Sequence, residues 1–235
     1  MSVMTLFAAG WISLPLPGYR DSTSSVFSVA NLPLLKQAFY GDFRWLPEVA
    51  VQTRAIGLRP GITMRKPDEL LTKADNLQRD ADRLGLTFPP DVLYFMHTPV
   101  LHTYVPFHHY TFDFSHQITM STLFPEYAFI RCLRENYGVL NWQVCLDKAR
   151  HHSIIASGVT DLSDMQPLER WFASGEQLTL KDVMDDTYVC APTFEFFLYR
   201  FCLEYLIAVA LFRKLPLTDE QEVYLNHYQL TNNEQ

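Results

Sequence analysis

The sequence is poor in glycine and in charge, and both shortages limit what the protein can be. It has 9 glycines in 235 residues, and Gly57, Gly61 and Gly85 lie too far apart to form a phosphate-binding loop. Only 19% of the residues are charged, whereas 48% are hydrophobic. No low-complexity tract interrupts the chain. The composition therefore argues against intrinsic disorder and predicts a globular protein with a large core.

Motifs for catalysis and for metal binding are also missing. The sequence contains neither a G-x-S-x-G nucleophile elbow nor an H-E-x-x-H pair. Its four cysteines, Cys132, Cys145, Cys190 and Cys202, form no C-x-x-C pair, which argues against a zinc ribbon and favours reduced thiols in a cytosol. We therefore expect a protein that is not an enzyme, with no catalytic residue, no metal site and no cofactor.

The histidines suggest the opposite hypothesis, a metal-dependent enzyme. Five of the eight fall in one stretch of the chain: His97, His102, His108, His109 and His116. Imidazole is the commonest metal ligand in proteins. Their spacing argues against a shared site, because adjacent residues such as His108 and His109 point to opposite faces of a strand.

The hydrophobic runs of the sequence are shorter than a membrane span requires. In the most apolar stretch, Phe194 to Phe212, three charged residues leave an uncharged run of only eight residues, whereas a span needs roughly 20. Apolar residues recur there at three- and four-residue steps, which predicts a buried helix in which Arg200 and Glu204 can pair. The first basic residue is Arg20, so a charged secretion signal is absent and we expect a cytoplasmic protein.

Segments whose apolar residues recur at helical spacing lie before and after a group of segments with the composition of strands. The predicted elements are a helix over Pro67 to Leu84 capped by Gly85, a helix over Asp91 to His97, strands within His102 to Met120, a hairpin of Tyr127 to Arg134 and Val139 to Leu146, a strand over Ser153 to Ser157, the long helix, and a terminal helix with Thr218 and Gln221 as its capping box. This order is typical of an α+β fold, and we predict a mostly antiparallel or mixed sheet flanked by helices.

The chain is predicted to have three parts. Residues 1–66 form an N-terminal extension or small subdomain, in which EVAVQTRAI, residues 48–56, is interpreted as a strand. Residues 67–217 form the α+β domain, and residues 218–235 form a short terminal helix and tail.

The tetrapeptide ENYG, residues 135–138, lies between the strands of the predicted hairpin. It is either a reactive cluster with Glu135 as a general base or a turn. Alternation on both sides favours the turn. In the predicted register, Arg134 lies opposite Val139 and Cys132 opposite Asn141, so no disulfide to Cys145 is expected.

Charge is unevenly distributed along the chain. The net charge is -7, and residues 161–186 hold seven Asp/Glu against two Lys/Arg. Such an excess repels phosphate backbones and attracts a basic partner, although a solvated surface is the simpler alternative. Six of these acids are the candidate residues for binding a partner: Asp161, Asp164, Glu169, Asp182, Asp185 and Asp186. We expect neither nucleic acid nor membrane as the partner.

Three stretches together resemble one known family. They are ADRLGLTFPPDVLYFM, FIRCLRENYGVLNWQVCLD and APTFEFFLYRFCLEYLIAVAL, whose order and spacing resemble those of the SUKH superfamily across residues 67–217. The most diagnostic positions are Glu135, Asn136, Gly138 and Trp142. The chain departs from the usual pattern at Tyr137, where members commonly have glutamine, and at Cys202 and Tyr205, where they have tryptophan and asparagine.

The resemblance implies a compact α+β domain that binds another protein without doing chemistry. Many bacterial members resemble immunity proteins, which neutralise a cognate toxin, often a nuclease or deaminase, by direct binding. Others act as regulatory interaction modules. We therefore expect an immunity protein, with a structural or regulatory scaffold as the alternative.

Overall fold

The computed structural model describes residues 6–12, 16, 26–61, 63–64, 69–107, 110–136, 140–158, 162 and 179–232, with the backbone alone at 63–64 and 228–232. Within these residues, eight strands form one mixed sheet and helices pack on it. This arrangement confirms the predicted α+β class.

The sheet has the strand order β2-β1-β8-β7-β6-β5-β4-β3. The strands are β1 (Ala8–Ile12), β2 (Val26–Ser28), β3 (Thr63–Met64), β4 (Tyr110–Phe112), β5 (Tyr127–Glu135), β6 (Asn141–Asp147), β7 (His152–Ser157) and β8 (Thr187–Ala191). Neighbours from β4 to β8 pair antiparallel, as do β1 and β2, whereas β1 pairs with β8 and β3 with β4 in parallel.

The described helices include four that the sequence predicts: α2, α3, α6 and α7. The helices are α1 (Leu46–Ala55), α2 (Leu70–Leu84), α3 (Pro90–His97), α4 (Pro99–His102), α5 (Leu180–Asp185), α6 (Phe194–Arg213) and α7 (Asp219–Asn232). Gly85 caps α2 with a left-handed φ of 70°, as Gly commonly does at helix ends. The capping box before α7 is confirmed, because Thr218 and Gln221 exchange hydrogen bonds of 3.0 and 3.3 Å.

One predicted strand is wrong, and the strands predicted within His102 to Met120 form only in part. Residues 48–56 are not a strand but lie largely within α1, because Leu46, Val49, Ala50 and Thr53 repeat at helical spacing and are all buried. Of the stretch from His102 to Met120, the described part forms one short strand, β4, and an isolated bridge at its end. His102 instead closes α4, which begins at Pro99, a residue suited to a first helical turn.

The predicted hairpin forms, but in a different register. Arg134 lies opposite Asn141, not Val139. The strand pairing shifts between Arg131 and Leu133, so Cys132 occupies a bulge and does not lie opposite Asn141. An extra residue of this kind cannot be read from alternation alone, because it locally reverses which side chains point to each face.

Two hydrophobic clusters occupy the two faces of the sheet. On β6, Val144 and Leu146 belong to the larger cluster and Cys145 to the smaller one. Successive side chains of a strand point to opposite faces, so the clusters are on opposite sides. The larger cluster contains Phe201 of α6, and the smaller contains Val183 of α5.

The described part of residues 1–66 packs mainly into the larger cluster, while Phe7 belongs to the smaller one. Trp11 of β1 is fully buried, with its ring 5.9 Å from that of Phe197 and 6.5 Å from that of Phe201. α1 contributes Leu46 and Val49 to the same cluster. The boundary between residues 66 and 67 stays a prediction. Residues from both sides of it contribute to the larger cluster.

Candidate functional site

The long helix α6 carries three charged residues that are almost completely buried. Glu195, Arg200 and Glu204 are 1%, 3% and 0% exposed. Burial of a charge is costly unless hydrogen bonds compensate it, so the partners of these side chains are part of the fold.

Glu195 holds the backbone of residues 41–45. Its carboxylate accepts hydrogen bonds from the amides of Gly41, at 2.6 Å, and Phe43, at 2.8 Å. It also accepts one from the indole Nε1 of Trp45, at 3.1 Å. Phe43 has a φ of 53°, an uncommon conformation for a residue with a side chain. The carboxylate therefore fixes a bend that the backbone would not adopt by itself.

Asp91 connects this bend to the start of α6. Its Oδ2 accepts a hydrogen bond of 2.9 Å from the amide of Glu195, and its Oδ1 accepts one of 3.0 Å from Val92. Asp91 is only 5% exposed. The first turns of α3 and α6 are thus joined by one carboxylate, since the amides of a helix N-terminus lack partners within the helix.

Arg200 and Glu204 are linked through the hydroxyl of Tyr224. Arg200 Nη1 donates to this hydroxyl at 2.9 Å, and the hydroxyl donates to Glu204 Oε1. Glu204 Oε2 accepts a bond of 2.9 Å from Trp11 Nε1, and Arg200 Nη2 donates to the carbonyl of Pro33 at 2.9 Å. The predicted pairing of Arg200 with Glu204 is therefore part of a network that also reaches β1 and α7.

These contacts fasten residues 33–45, which we call the anchored segment. Pro33 is held by Arg200, and Gly41 and Phe43 by Glu195. Between them, Phe39 packs on α6, with its ring 5.2 Å from that of Phe196. The segment is held at both ends and in the middle, although residues 33–40 belong to no helix or strand.

The anchored segment exposes large apolar side chains. Leu34 is 94% exposed and Tyr40 is 67% exposed. Arg44 lies over the Tyr40 ring, 4.6 Å from its centroid, which favours one orientation of the phenol. Single exposed apolar side chains are common on protein surfaces, but here the backbone that carries them is held by buried hydrogen bonds.

A cleft of about 270 Å³ lies beside the anchored segment. Its lining residues come from this segment, α1, α6 and α7: Gln37, Arg44, Trp45, Glu48, Val49, Gln52, Tyr199, Leu203, Leu206 and Glu220. Aromatic and aliphatic side chains form much of this lining, together with two carboxylates, two amides and one guanidinium.

The charges at the cleft are not balanced. The guanidinium of Arg44 is bound by Asp42, with Nε 2.9 Å from Oδ2, and this contact lowers the pKa of the Asp42 carboxyl. Tyr199 donates a hydrogen bond to Glu220, and burial followed by this carboxylate raises the pKa of the phenol. Glu48 is exposed, and its carboxylate has no hydrogen-bond or ion-pair partner among the described residues. The cleft thus carries a surplus of negative charge.

Three of the six acids predicted to bind a partner can be placed. Asp161, Asp164 and Glu169 lie outside the described residues. Asp182 forms a capping box with Thr179 at the start of α5, and Asp185 pairs with Lys181, whose pKa it raises. Asp186 follows as a half-buried residue. α5 packs on the sheet face opposite to α6, so these acids are not part of the cleft.

The diagnostic positions of the resemblance have structural roles where they are described. Asn136 accepts a hydrogen bond of 2.7 Å from Thr111 Oγ1, and the amide of Glu135 donates to the carbonyl of Leu140 at 3.0 Å. Trp142 is buried, with its ring 5.1 Å from that of Phe201. Gly138 lies outside the described residues. Glu135 and Asn136 therefore take part in hydrogen bonds at the ends of the strands, and the turn over residues 135–138 stays a prediction because Tyr137 and Gly138 lie outside the described residues.

The histidines that can be placed have different neighbours. His97 Nε2 lies 3.1 Å from Asp75 Oδ1, whereas His102 bonds the carbonyl of Phe95 at 2.8 Å. Burial lowers the pKa of His102. His108 and His109 lie outside the described residues, and among those described no three metal-binding side chains come together.

All four cysteines are buried and unpaired. Burial raises the pKa of each thiol, in the case of Cys190 to about 12. The thiolate is the reactive form, so these residues are poor nucleophiles in the folded protein.

We expect the native chain to react with Ellman's reagent at least about 100-fold more slowly than the chain unfolded in guanidinium. The raised pKa of Cys190 also makes stability depend on pH. The free energy of unfolding is expected to fall as the pH rises from the ordinary thiol value of roughly 8.5 toward about 12, because only the unfolded chain releases the thiol proton in this range. Fast labelling of any thiol in the native protein would contradict the burial.

Neither the cleft nor the anchored segment is among the sites predicted from the sequence. The available signal was the placement of Glu195, Arg200 and Glu204 in an otherwise apolar helix, because charges that interrupt a buried helix require partners from elsewhere in the chain. The partners themselves lie 20 to 193 positions away in sequence. No local pattern connects them.

Comparison with protein-family models, with curated proteins and with solved structures finds no match for this chain. The similarity to the SUKH superfamily therefore stays a resemblance based on three stretches. None of the helices in the described part of the chain combines the length and apolarity needed to cross a membrane.

Proposed function

We propose that this chain is a non-enzymatic, cytoplasmic protein-binding domain, and that it is an immunity protein which neutralises a cognate toxin by direct binding. The observation that carries the proposal is the anchored segment. It combines a backbone fixed by buried charges with the exposed side chains of Leu34 and Tyr40.

A surface of this kind binds efficiently for a physical reason. Association costs free energy when flexible loops and side chains become ordered, and a fixed segment avoids much of that cost. Tyrosine is among the residues that most often dominate binding energy at interfaces. Tyr40, held by Arg44 next to a cleft, has the features of such a residue.

The choice of a toxin as partner depends on the resemblance of residues 67–217 to the SUKH superfamily. The net charge of -7 supports it, since toxins that act on nucleic acids are commonly basic and complementary charge raises association rates. The acids Asp182, Asp185 and Asp186 would contribute to this long-range attraction from the opposite face of the sheet.

Co-expression with the toxin encoded beside this chain tests the proposal. Cells that express the toxin are expected to survive when the wild-type chain is present and to die without it. Replacing both Leu34 and Tyr40 with alanine is expected to weaken the complex at least about tenfold, measured by calorimetry with purified proteins.

The control is the pair Leu71→Ala and Phe212→Ala, which removes exposed apolar side chains elsewhere on the surface. This control is expected to bind like the wild type. Equal cell death with and without the chain would refute the immunity function. A stable self-assembled oligomer without toxin binding would favour the scaffold instead.

A further inference from the structure

The cleft beside the anchored segment is large enough to accommodate a long side chain. Its volume of about 270 Å³ is lined by Val49, Leu203 and Leu206 as well as by the rings of Trp45 and Tyr199. The two rings meet edge to face, with centroids 4.9 Å apart and planes at 89°. Because Glu195 binds the Trp45 indole, this aromatic corner is fixed before any ligand arrives.

The charged residues around this aromatic corner determine whether a cation or an anion fits the cleft. Glu48 and Glu220 contribute two carboxylates to the lining. The only guanidinium in the lining, that of Arg44, is already bound by Asp42 and stacked on Tyr40. An anion would therefore meet uncompensated carboxylates, whereas a cation would meet them as partners.

Apolar walls, aromatic rings and carboxylates together fit a long basic side chain. Lysine and arginine bury their aliphatic stems against apolar surface while the charged end stays near water. A cation held near tryptophan or tyrosine gains further attraction from the ring. A purely apolar side chain would contact the same apolar residues but would leave the carboxylates without an opposite charge.

We propose that the cleft accommodates a lysine or arginine side chain of the partner protein, with Glu48 and Glu220 as its counter-charges. That the side chain belongs to a protein rests on the proposed function. The cleft then supplies the specificity of the interface, next to the apolar contact made by Leu34 and Tyr40.

The test uses the full chain labelled with 5-fluorotryptophan and three short peptides as probes. These are acetyl-Ala-Lys-Ala-amide, its arginine counterpart, and the uncharged norleucine counterpart. The chain has four tryptophans, and the fluorine signal of Trp45 is assigned as the one that is lost in Trp45→Phe. We expect the lysine or arginine peptide to shift this signal saturably with a Kd in the millimolar range. The norleucine peptide is expected to bind at least about tenfold more weakly.

Two double variants separate charge from shape. Glu48→Gln with Glu220→Gln keeps the size of both side chains and an acceptor for the Tyr199 hydroxyl, and is expected to weaken binding of the basic peptides at least about fivefold. Asp82→Asn with Glu126→Gln makes the same change of charge at exposed positions elsewhere and is expected to leave binding within about twofold. Equal binding of the norleucine peptide, unchanged binding by the first double variant, or no saturable shift would each overturn the inference.

The result is distinguishable from a failure of the proposed function. If the chain protects cells but the peptides do not bind, the immunity function stands and the cleft inference is wrong. If the basic peptides bind but the chain does not protect cells, the cleft binds basic side chains and the immunity function is wrong.

Discussion

Replacing Glu195 with alanine is expected to lower the free energy of unfolding by about 3 to 5 kcal/mol. The substitution removes the acceptor of three hydrogen bonds, from the amides of Gly41 and Phe43 and from the indole of Trp45. Phe43 is fully buried and Trp45 is 6% exposed, so water cannot readily replace the lost acceptor. Urea unfolding followed by circular dichroism measures the change.

Glu195→Gln gives a graded version of the same experiment. The amide oxygen can still accept the bonds that Oε1 receives from Phe43 and Trp45, but its NH2 group would face the amide of Gly41, which is itself a donor. We expect roughly half the loss caused by alanine. In both variants, hydrogen exchange at the amides of Gly41 and Phe43 should accelerate.

The control for both substitutions is Glu222→Ala, since Glu222 is an exposed glutamate of α7. Surface changes of this kind alter stability by less than about 0.5 kcal/mol. If Glu195→Ala cost no more than this control, the anchored segment would not depend on the buried carboxylate, and its proposed rigidity would lose its cause.

Replacing Glu204 with alanine is expected to cost a similar amount, about 3 to 5 kcal/mol. The indole of Trp11 and the hydroxyl of Tyr224 both lose their acceptor. Arg200, which is 3% exposed, keeps its positive charge but loses the carboxylate on the far side of the Tyr224 hydroxyl. An uncompensated buried charge is the main source of the loss.

The double variant Arg200→Met with Glu204→Leu tests this explanation. It removes both charges and retains apolar volume, so its loss should fall short of the sum of the losses measured separately in Arg200→Met and in Glu204→Leu by at least about 1 kcal/mol. Tyr224→Phe, which deletes only the bridging hydroxyl, is expected to cost about 1 kcal/mol. Additive losses in the double variant would mean that the two charges do not act as one network.

The elements with strong periodicity, and their order along the chain, follow from the amino-acid sequence. The long helix α6 follows from apolar residues at three- and four-residue steps, and Gly85 and the pair Thr218 and Gln221 mark helix ends through local hydrogen bonds and backbone geometry. The absence of a disulfide between Cys132 and Cys145 was also predictable, although the register from which it was inferred was wrong. These features depend on residues close together in the chain.

The partners of the buried charges depend on how distant parts of the chain pack together. Glu195 binds residues about 150 positions earlier, and Glu204 binds Trp11 at a separation of 193. Packing also decides that residues 48–56 lie mainly in a helix, since α1 packs its buried face against the core that contains α6. Periodicity reports which face of an element is apolar, but not what covers that face. Partners that come from distant parts of the chain are set by packing in three dimensions, and the cleft and the anchored segment consist of such contacts.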